Sequence, residues 1–146
     1  MNVTMILADS AQAVGGKLYI LGGGWSVTGP EPSPMALAIK IEIPWDQTNQ
    51  KHKLRLELID SDGNPVDSPD QEGTPLFIEG DFEVGRPPGM KPGTPIDFPF
   101  AINLGPIPLD PDTRYAWQLS IDGHSDEDWR VAFSTRPARD SGQLSS

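Results

Sequence analysis

Few side chains of this sequence could carry out catalysis. Its 146 residues include no cysteine and two histidines, His52 and His124. His124 is a close neighbour of Asp122, Ser125 and Asp126, but residues on one short turn cannot by themselves form the nucleophile, base and orienting acid of a hydrolase. His52 has the parity of the inward residues of its strand, which predicts a packing role. The sequence therefore predicts no catalytic residue and a protein that is not an enzyme.

A metal site is also not predicted. Residues 60–64, Asp-Ser-Asp-Gly-Asn, begin like a calcium-binding loop. The EF-hand pattern has its glycine at the sixth position, whereas Gly63 is at the fourth. Asp and Gly between two strands are the usual residues of a turn. The histidines lack the H-x-H or H-x3-H spacing of a zinc pair. We therefore expect a turn at 60–64, no metal and no cofactor.

Three consecutive glycines, Gly22, Gly23 and Gly24, precede Trp25. A phosphate-binding loop would need a lysine and a helix after the glycines, but the sequence continues with Ser-Val-Thr, which favours a strand. The glycines therefore predict a bend where two backbones pass closely, with Trp25 turned into the core. On the alternative interpretation, these four residues bind a ligand.

Residues 85–95 form the most distinctive loop of the sequence. Prolines stiffen it, Arg86 and Lys91 give it two cations in an acidic chain, and Met90 lies near its tip. A stiff loop with an adaptable apolar residue suits recognition. The alternative is a long connection held by its prolines. Arg86, Met90 and Lys91 are therefore candidate binding residues.

Apolar and polar residues alternate along most of the chain, and glycine and proline separate the runs. This pattern predicts strands at residues 3–8, 17–21, 35–43, 52–60, 76–84, 96–104, 115–121 and 129–134. Residues 65–73 and 122–128 are predicted to be polar loops. The predicted fold class is all-β, a single antiparallel β-sandwich of about eight strands, immunoglobulin-like or a jelly-roll relative, with negligible helix.

Two details of this sandwich can be predicted. If strands 52–60 and 76–84 are antiparallel neighbours, Lys53 and Arg55 face a row of acidic residues across the sheet. The side chains predicted to face the core are Ile39, Ile41, Leu56, Phe82, Phe98, Phe100, Trp117, Leu119 and Phe133.

The formal net charge is −10. An acidic surface opposes binding to a phosphate backbone, which depends on Lys and Arg, so no nucleic acid is expected as a partner. No apolar run approaches the ~18 residues of a membrane span, and the first residues lack the features of a signal peptide. We therefore expect no membrane association and a cytoplasmic location. The length predicts one domain, residues 1–136, followed by a disordered tail, residues 137–146.

Two resemblances support a single β domain. Residues 109–115, Leu-Asp-Pro-Asp-Thr-Arg-Tyr, predict a tyrosine corner, in which the phenol hydroxyl bonds to the backbone just upstream. Their spacing resembles the L-x-P-x-T-x-Y corner of fibronectin type III and related immunoglobulin-like domains. The segments 5–9, 16–25, 79–89 and 121–123 resemble a family of small, uncharacterised bacterial single-domain proteins. That resemblance implies one compact domain and assigns no functional residue.

The expected function is that of a non-catalytic, soluble binding or interaction module that uses stiff end loops of the sandwich, with a protein partner or self-association. One alternative is a structural subunit of a homo-oligomer, or a decorating protein of a virion or other particle. That role would need an apolar outer face, for which Tyr19 and Phe77 are the outward candidates. A second alternative is a carbohydrate binder or small hydrolase, which would need a concave face with aromatic residues and convergent carboxylates. Exposure of Trp25 and Trp45 on one concave face would favour sugar binding.

Overall fold

The computed structural model describes residues 1–139, and its regular structure is almost entirely β. Most of the predicted tail, residues 140–146, lies outside the described residues. The elements in chain order are β1 (Asn2–Ala8), β2 (Ser10–Val14), β3 (Lys17–Leu21), β4 (Val27–Thr28), β5 (Met35–Ile43), a 3₁₀ helix (Trp45–Gln47), β6 (Lys51–Asp60), β7 (Asp67–Ser68), β8 (Gln71–Pro75), β9 (Phe77–Glu83), β10 (Ile96–Leu104), β11 (Arg114–Ile121) and β12 (His124–Thr135).

Eight of these strands form the two sheets of a β-sandwich, which confirms the predicted fold class. The predicted strand at 17–21 lies outside both sheets, and the short β4, which pairs in parallel with β12, takes part instead. The first sheet has the order β1-β5-β10, and the second has the order β4-β12-β11-β6-β9. The chain crosses from the first sheet to the second between β5 and β6, and again between β10 and β11. This order follows the immunoglobulin-like arrangement, in which strands A, B and E face strands C, F and G.

The core lies between β5 of the first sheet and β6 and β11 of the second. Ile39, Ile41 and Trp117 are completely buried there, because alternate residues of a strand point to the same face. Burying one such side chain contributes about 1.5–3 kcal/mol. The predicted inner residues pack in this core, but Phe98 and Phe100 are only half-buried because β10 is an edge strand of its sheet.

Strands β6 and β9 are antiparallel neighbours, as their charges predicted. Lys53 lies opposite Asp81, and Arg55 lies opposite Glu79. The Glu79 carboxylate accepts from the Arg55 guanidinium and lies 3.4 Å from the Lys53 ammonium nitrogen. These side chains are substantially exposed, so their ion pairs fix the register more than they stabilise the sheet.

The hydroxyl of Tyr115 ties the start of β11 to the segment before it. It accepts a hydrogen bond of 3.0 Å from the backbone N–H of Asp110. The Tyr115 ring also stacks on Phe133, with 5.7 Å between the ring centroids. This bond fixes the connection that crosses from β10 to β11, which is the role that the spacing of residues 109–115 predicted.

Two segments predicted to be loops contain strands instead. Residues 124–128 belong to β12, because Asp122 and Gly123 alone make the turn from β11, with φ of 53° and 78°. Positive φ at both central residues is typical of the two-residue turns that close hairpins. Within 65–73, β7 pairs with β8. Both segments were missed because most of their side chains are exposed and polar.

The β2–β3 hairpin forms a third layer outside the first sheet. Ala11 of β2 packs there on Ala8, Ala36 and Ala38, and all four side chains are buried. Small side chains allow two layers to approach this closely. The first half of β5 is therefore buried on both faces, although its alternation is typical of a strand with one face in solvent.

Strand β10 has a proline at its midpoint. Pro99 lies opposite Lys40, and the ladder between β10 and β5 continues on both sides of it. Proline has no N–H to donate, so the ladder stays unbroken only where the proline nitrogen points away from the partner strand. The free side of β10 therefore lacks a hydrogen-bond donor at its centre.

Candidate interaction surface

The β2–β3 hairpin carries four of the six large apolar side chains that are exposed within residues 1–139. Their exposed fractions are 51% for Val14, 56% for Tyr19, 38% for Ile20 and 71% for Leu21. Because Ala11 points inward, the alternation of the strands places Val14, Tyr19 and Leu21 together on the opposite, outer side. We call these three side chains the hairpin face.

A tight turn fixes the register of the hairpin. Gly15 and Gly16 have φ of 59° and 75°, which residues with a β-carbon rarely adopt. This two-residue turn places Val14 directly opposite Lys17. Only two strands, β2 and β3, form this sheet in the described part of the chain, so the outer edge of β3 has no ladder partner there.

The side chain of Asn103 joins the hairpin to the first sheet by two hydrogen bonds. The Asn103 amide nitrogen donates to the Ala11 carbonyl at 2.8 Å, and the Ala11 N–H donates to the Asn103 side-chain oxygen at 3.1 Å. The Asn103 amide thus bonds β2 as a neighbouring strand would. The exposed apolar face is therefore held on a well-anchored element.

The glycine run returns the chain from the hairpin to the first sheet. Gly22 and Gly24 have φ of 60° and 91°, and a β-carbon at Gly22 would overlap the Asp9 carboxylate. The Gly24 N–H donates to the Leu7 carbonyl at 2.7 Å. These glycines are needed for the close bend that the sequence predicted.

The remaining two residues of this candidate site also have packing roles. A β-carbon on Gly23 would collide with the Ile20 side chain. Trp25 is half-buried, and its ring packs edge-to-face on Phe133 with 6.1 Å between the centroids. The contacts of residues 22–25 support the structural interpretation of this segment over the ligand-binding one.

The loop 85–95 is anchored by the first of its three candidate residues. Arg86 donates to the Thr48 hydroxyl and to the Trp45 carbonyl, each at 2.7 Å. Its guanidinium also lies over the Trp45 ring, 4.1 Å from the centroid. Met90 is half-buried and Lys91 is exposed. Arg86 therefore fixes the loop, and Lys91 is left pointing into solvent at its tip.

We expect Arg86→Met to lower the free energy of unfolding by about 1–2 kcal/mol, because the change removes two hydrogen bonds and a cation–π contact from an exposed site. Urea denaturation monitored by tryptophan fluorescence measures the change. Lys91→Met removes a cation from the same loop without these contacts and should change stability by less than about 0.5 kcal/mol. Equal effects of the two substitutions would contradict the anchoring role.

A shallow cleft opens beside this anchor, at the end of the sandwich where the loop 85–95 meets the 3₁₀ helix. Its volume is about 600 Å³, and its apolar wall includes Met1, Pro44, Trp45 and Pro95. Glu42 and Asp46 lie at the same cleft. Gly93 and Pro95 of the stiff loop line this cleft, so the loop could contribute to a ligand site here.

A buried histidine paired with a partly exposed aspartate lies close to the same end of the molecule. The His52 side chain is 6% exposed, and its Nδ1 lies 2.7 Å from the Asp122 carboxylate. Its Nε2 lies 2.8 Å from the Gln47 carbonyl. Both neighbouring atoms are acceptors, so only a ring protonated on both nitrogens donates to both. The geometry therefore favours the imidazolium form of His52, in which both nitrogens donate.

The pKa values of the pair agree with this protonation state. Burial by itself lowers the pKa of His52, but the hydrogen bonds to Asp122 and to the Gln47 carbonyl outweigh burial and raise the pKa above its ordinary value. The hydrogen bond from His52 in turn lowers the pKa of Asp122. With both ring nitrogens occupied, His52 has no free nitrogen to act as a general base.

The two tryptophans of the carbohydrate hypothesis lie at opposite ends of the sandwich. Trp25 contacts Phe133, which pairs with the first half of β11, whereas Trp45 lies beside Thr48 near the far end of that strand. They share no concave face. Within residues 1–139, no three side chains of the metal-binding types come together, and no helix has the length and apolarity to cross a membrane.

The sequence of this protein matches the pattern of one protein family over residues 3–133. The chain belongs to DUF6941, a family of unknown function. This agrees with the resemblance of segments 5–9, 16–25, 79–89 and 121–123 to an uncharacterised family. Neither the curated proteins nor the solved structures contain a match to this chain.

Of the hairpin face, the sequence singled out only Tyr19, as an outward apolar residue, and it did not select Val14 or Leu21. Residues 17–21 have apolar side chains at four consecutive positions, which is typical of a strand buried on both faces. Instead, one side of the strand is exposed. A usable signal was present nonetheless, since residues 10–30 contain no acidic residue in a chain that has 21.

Proposed function

We propose that this protein is a non-catalytic, cytoplasmic interaction module whose binding surface is the hairpin face. The observation that carries the proposal is the exposure of Val14, Tyr19 and Leu21 on one side of an anchored hairpin. Clustered exposed apolar side chains are typical of surfaces that bind other proteins. Tyr19 is the natural centre of such a contact, because tyrosine combines a large apolar ring with a hydrogen-bonding group.

Electrostatics support the same surface. The nearest acidic residues in sequence are Asp9 and Glu31, so the hairpin is a nearly uncharged area on a protein of net charge −10. A protein partner desolvates few charges when it covers this area. The end loops are less suited to this role, because Arg86 already donates its hydrogen bonds to Thr48 and to the Trp45 carbonyl of the same chain.

Photo-crosslinking in the producing cells tests this proposal. A photoreactive phenylalanine analogue replaces Tyr19 on the hairpin face or, as a control, Asp62 on the exposed turn 60–64. We expect a defined protein adduct from position 19 and none from position 62. The same adducts from both positions, or none from position 19, would contradict an interaction through the hairpin face.

A second candidate function is binding of a small ligand in the cleft beside Trp45. The observation in its favour is the apolar wall at a cleft of about 600 Å³ that is rimmed by Glu42 and Asp46. A ligand retained by the wild-type protein and lost from Trp45→Ala, detected by native mass spectrometry, would support this function. Retention by both proteins would exclude the cleft as its site.

A further inference from the structure

We infer that the partner of the hairpin is a second copy of this chain, joined through antiparallel pairing of β3 with β3 of the partner. This inference rests on the proposed function, because it identifies the protein that covers the hairpin. It follows from the unpaired edge of β3, from the geometry of the hairpin turn and from the distribution of charge.

The turn determines which backbone groups of β3 are free. In a two-residue hairpin, the residues that flank the turn exchange hydrogen bonds, and such pairs then alternate along the ladder. Lys17, Tyr19 and Leu21 therefore bond to β2. The N–H and C=O groups of Leu18 and Ile20 point to the open edge, where a further strand can bond to them.

The length of β3 determines the register of the pair. The extended segment is bounded by Gly16 and Gly22, whose φ values of 75° and 60° do not continue a ladder. Its midpoint is Tyr19. A two-fold axis there pairs Leu18 of each copy with Ile20 of the other, which uses all four free backbone groups of each strand.

The side chains fit this register. Tyr19 lies opposite its own copy in a non-hydrogen-bonded pair, where side chains are closest and aromatic pairs are favourable. Lys17 lies opposite Leu21 of the partner subunit, so no two like charges face each other across the two strands. The two hairpins become one four-stranded sheet, and each hairpin face adjoins the other.

The charge of the chain favours this contact over other contacts between two copies. Residues 10–30 hold one charged residue, Lys17, whereas the remaining chain carries all 21 acidic residues. Two copies therefore repel each other least when they meet at the hairpins. A short strand buries less than the area of a stable dimer, so we expect a reversible pair. Added salt should strengthen it, because screening weakens the remaining repulsion.

Single-cysteine crosslinking tests the register in the full-length protein, which has no native cysteine. In the proposed pair, the two Tyr19 α-carbons are about 4.5 Å apart, which is within the range that a disulfide spans. Under mild oxidation, we expect Tyr19→Cys to form a disulfide dimer much faster than Leu21→Cys, although Leu21 is the more exposed position, because residue 21 faces Lys17 of the partner subunit. Equal rates for the two variants would overturn the register.

Charge exchange tests the pair without crosslinking. We expect Tyr19→Glu and Tyr19→Lys each to be monomeric in sedimentation velocity at concentrations where the wild-type protein dimerises, and an equimolar mixture of the two to dimerise. A wild-type monomer at all concentrations, or a mixture that stays monomeric, would overturn the inference. In that case, a crosslinked adduct of position 19 with a different protein would still support the proposed function. If position 19 gave no adduct at all, the inference and the proposed function would both be wrong.

Discussion

Replacing Asp122 with alanine should lower the free energy of unfolding by about 2 kcal/mol, the lower part of the range for hydrogen bonds to charged groups. The substitution leaves the buried His52 imidazolium without its acceptor, and it also removes the acceptor of the Lys53 N–H, which lies 2.9 Å from Asp122. We choose the lower part of the range because the Asp122 side chain is 49% exposed to water. Urea denaturation at mildly acidic pH measures the loss.

Asp62→Ala is the control for the loss of an exposed aspartate, whereas Asp122→Ala also places alanine at a φ of 53°, which adds to its loss. Asp62→Ala removes an aspartate from an exposed turn of another hairpin connection, and we expect a change of less than about 0.5 kcal/mol. Similar losses for the two variants would show that the His52–Asp122 contact contributes nothing specific.

The same pair predicts a dependence of stability on pH. The pKa of His52 is raised in the folded protein, so its contribution is complete below the unfolded value of about 6.5 and is lost as the pH rises through the folded-state pKa. The pKa of Asp122 is lowered, so its contribution is present above about 3.9 and is lost as the pH falls through the lower folded-state pKa. The pair should therefore stabilise the protein most at mildly acidic pH.

His52→Gln tests the part of this pH dependence that comes from His52 as the pH rises. The difference in unfolding free energy between wild type and variant should shrink as the pH rises from about 6 into the alkaline range. A difference that stays constant over this range would contradict the imidazolium assignment.

Asn103→Ala should have an effect of similar size, about 2–3 kcal/mol on the stability of the hairpin, because it removes two hydrogen bonds and leaves the Ala11 N–H and C=O without partners at a part-buried site. Hydrogen exchange measures this effect locally. We expect β2 and β3 to lose protection while β5 and β11, whose packing is unchanged, keep theirs.

Asn2→Ala provides the control for Asn103→Ala. Asn2 also lies on a strand and bonds to the Glu42 carboxylate at 3.0 Å, but this bond is exposed. We expect little change in protection from it. If Asn103→Ala unfolded the whole protein, the hairpin would be part of the global cooperative unit, which would contradict its description as a separately anchored layer.

The sandwich could be predicted from sequence because its strands follow a simple rule. Leu54, Leu56 and Leu58 alternate with Lys53 and Arg55, and one buried face and one exposed face produce such a pattern. The pairing of β6 with β9 could be predicted as well, since complementary charges stand opposite each other across that pair. The strand at 124–128 could not, because a strand with all its side chains in water has no apolar period.

The candidate surface and the charge pair could not be predicted for a different reason. Asn103 and Ala11 are distant in sequence, and so are His52 and Asp122, so only the folded chain brings them together. Tyr19 was recognised as an outward residue, and the turn at Gly15 and Gly16 places it on the same side as Val14, but which side of the hairpin faces solvent depends on the layer that the hairpin forms. Long-range contacts of this kind leave no local spacing to find.

The proline in β10 limits strand addition at one edge of the first sheet. A strand that approached the free side of β10 would find no donor opposite its middle carbonyl, so chains cannot be added there one after another. When two copies pair through β3, the open edge of each β3 strand becomes hydrogen-bonded to the other copy. No open β3 edge is then left for a third chain. In the proposed pair, neither β3 nor the centre of β10 therefore offers a place where a third chain could add as a further strand.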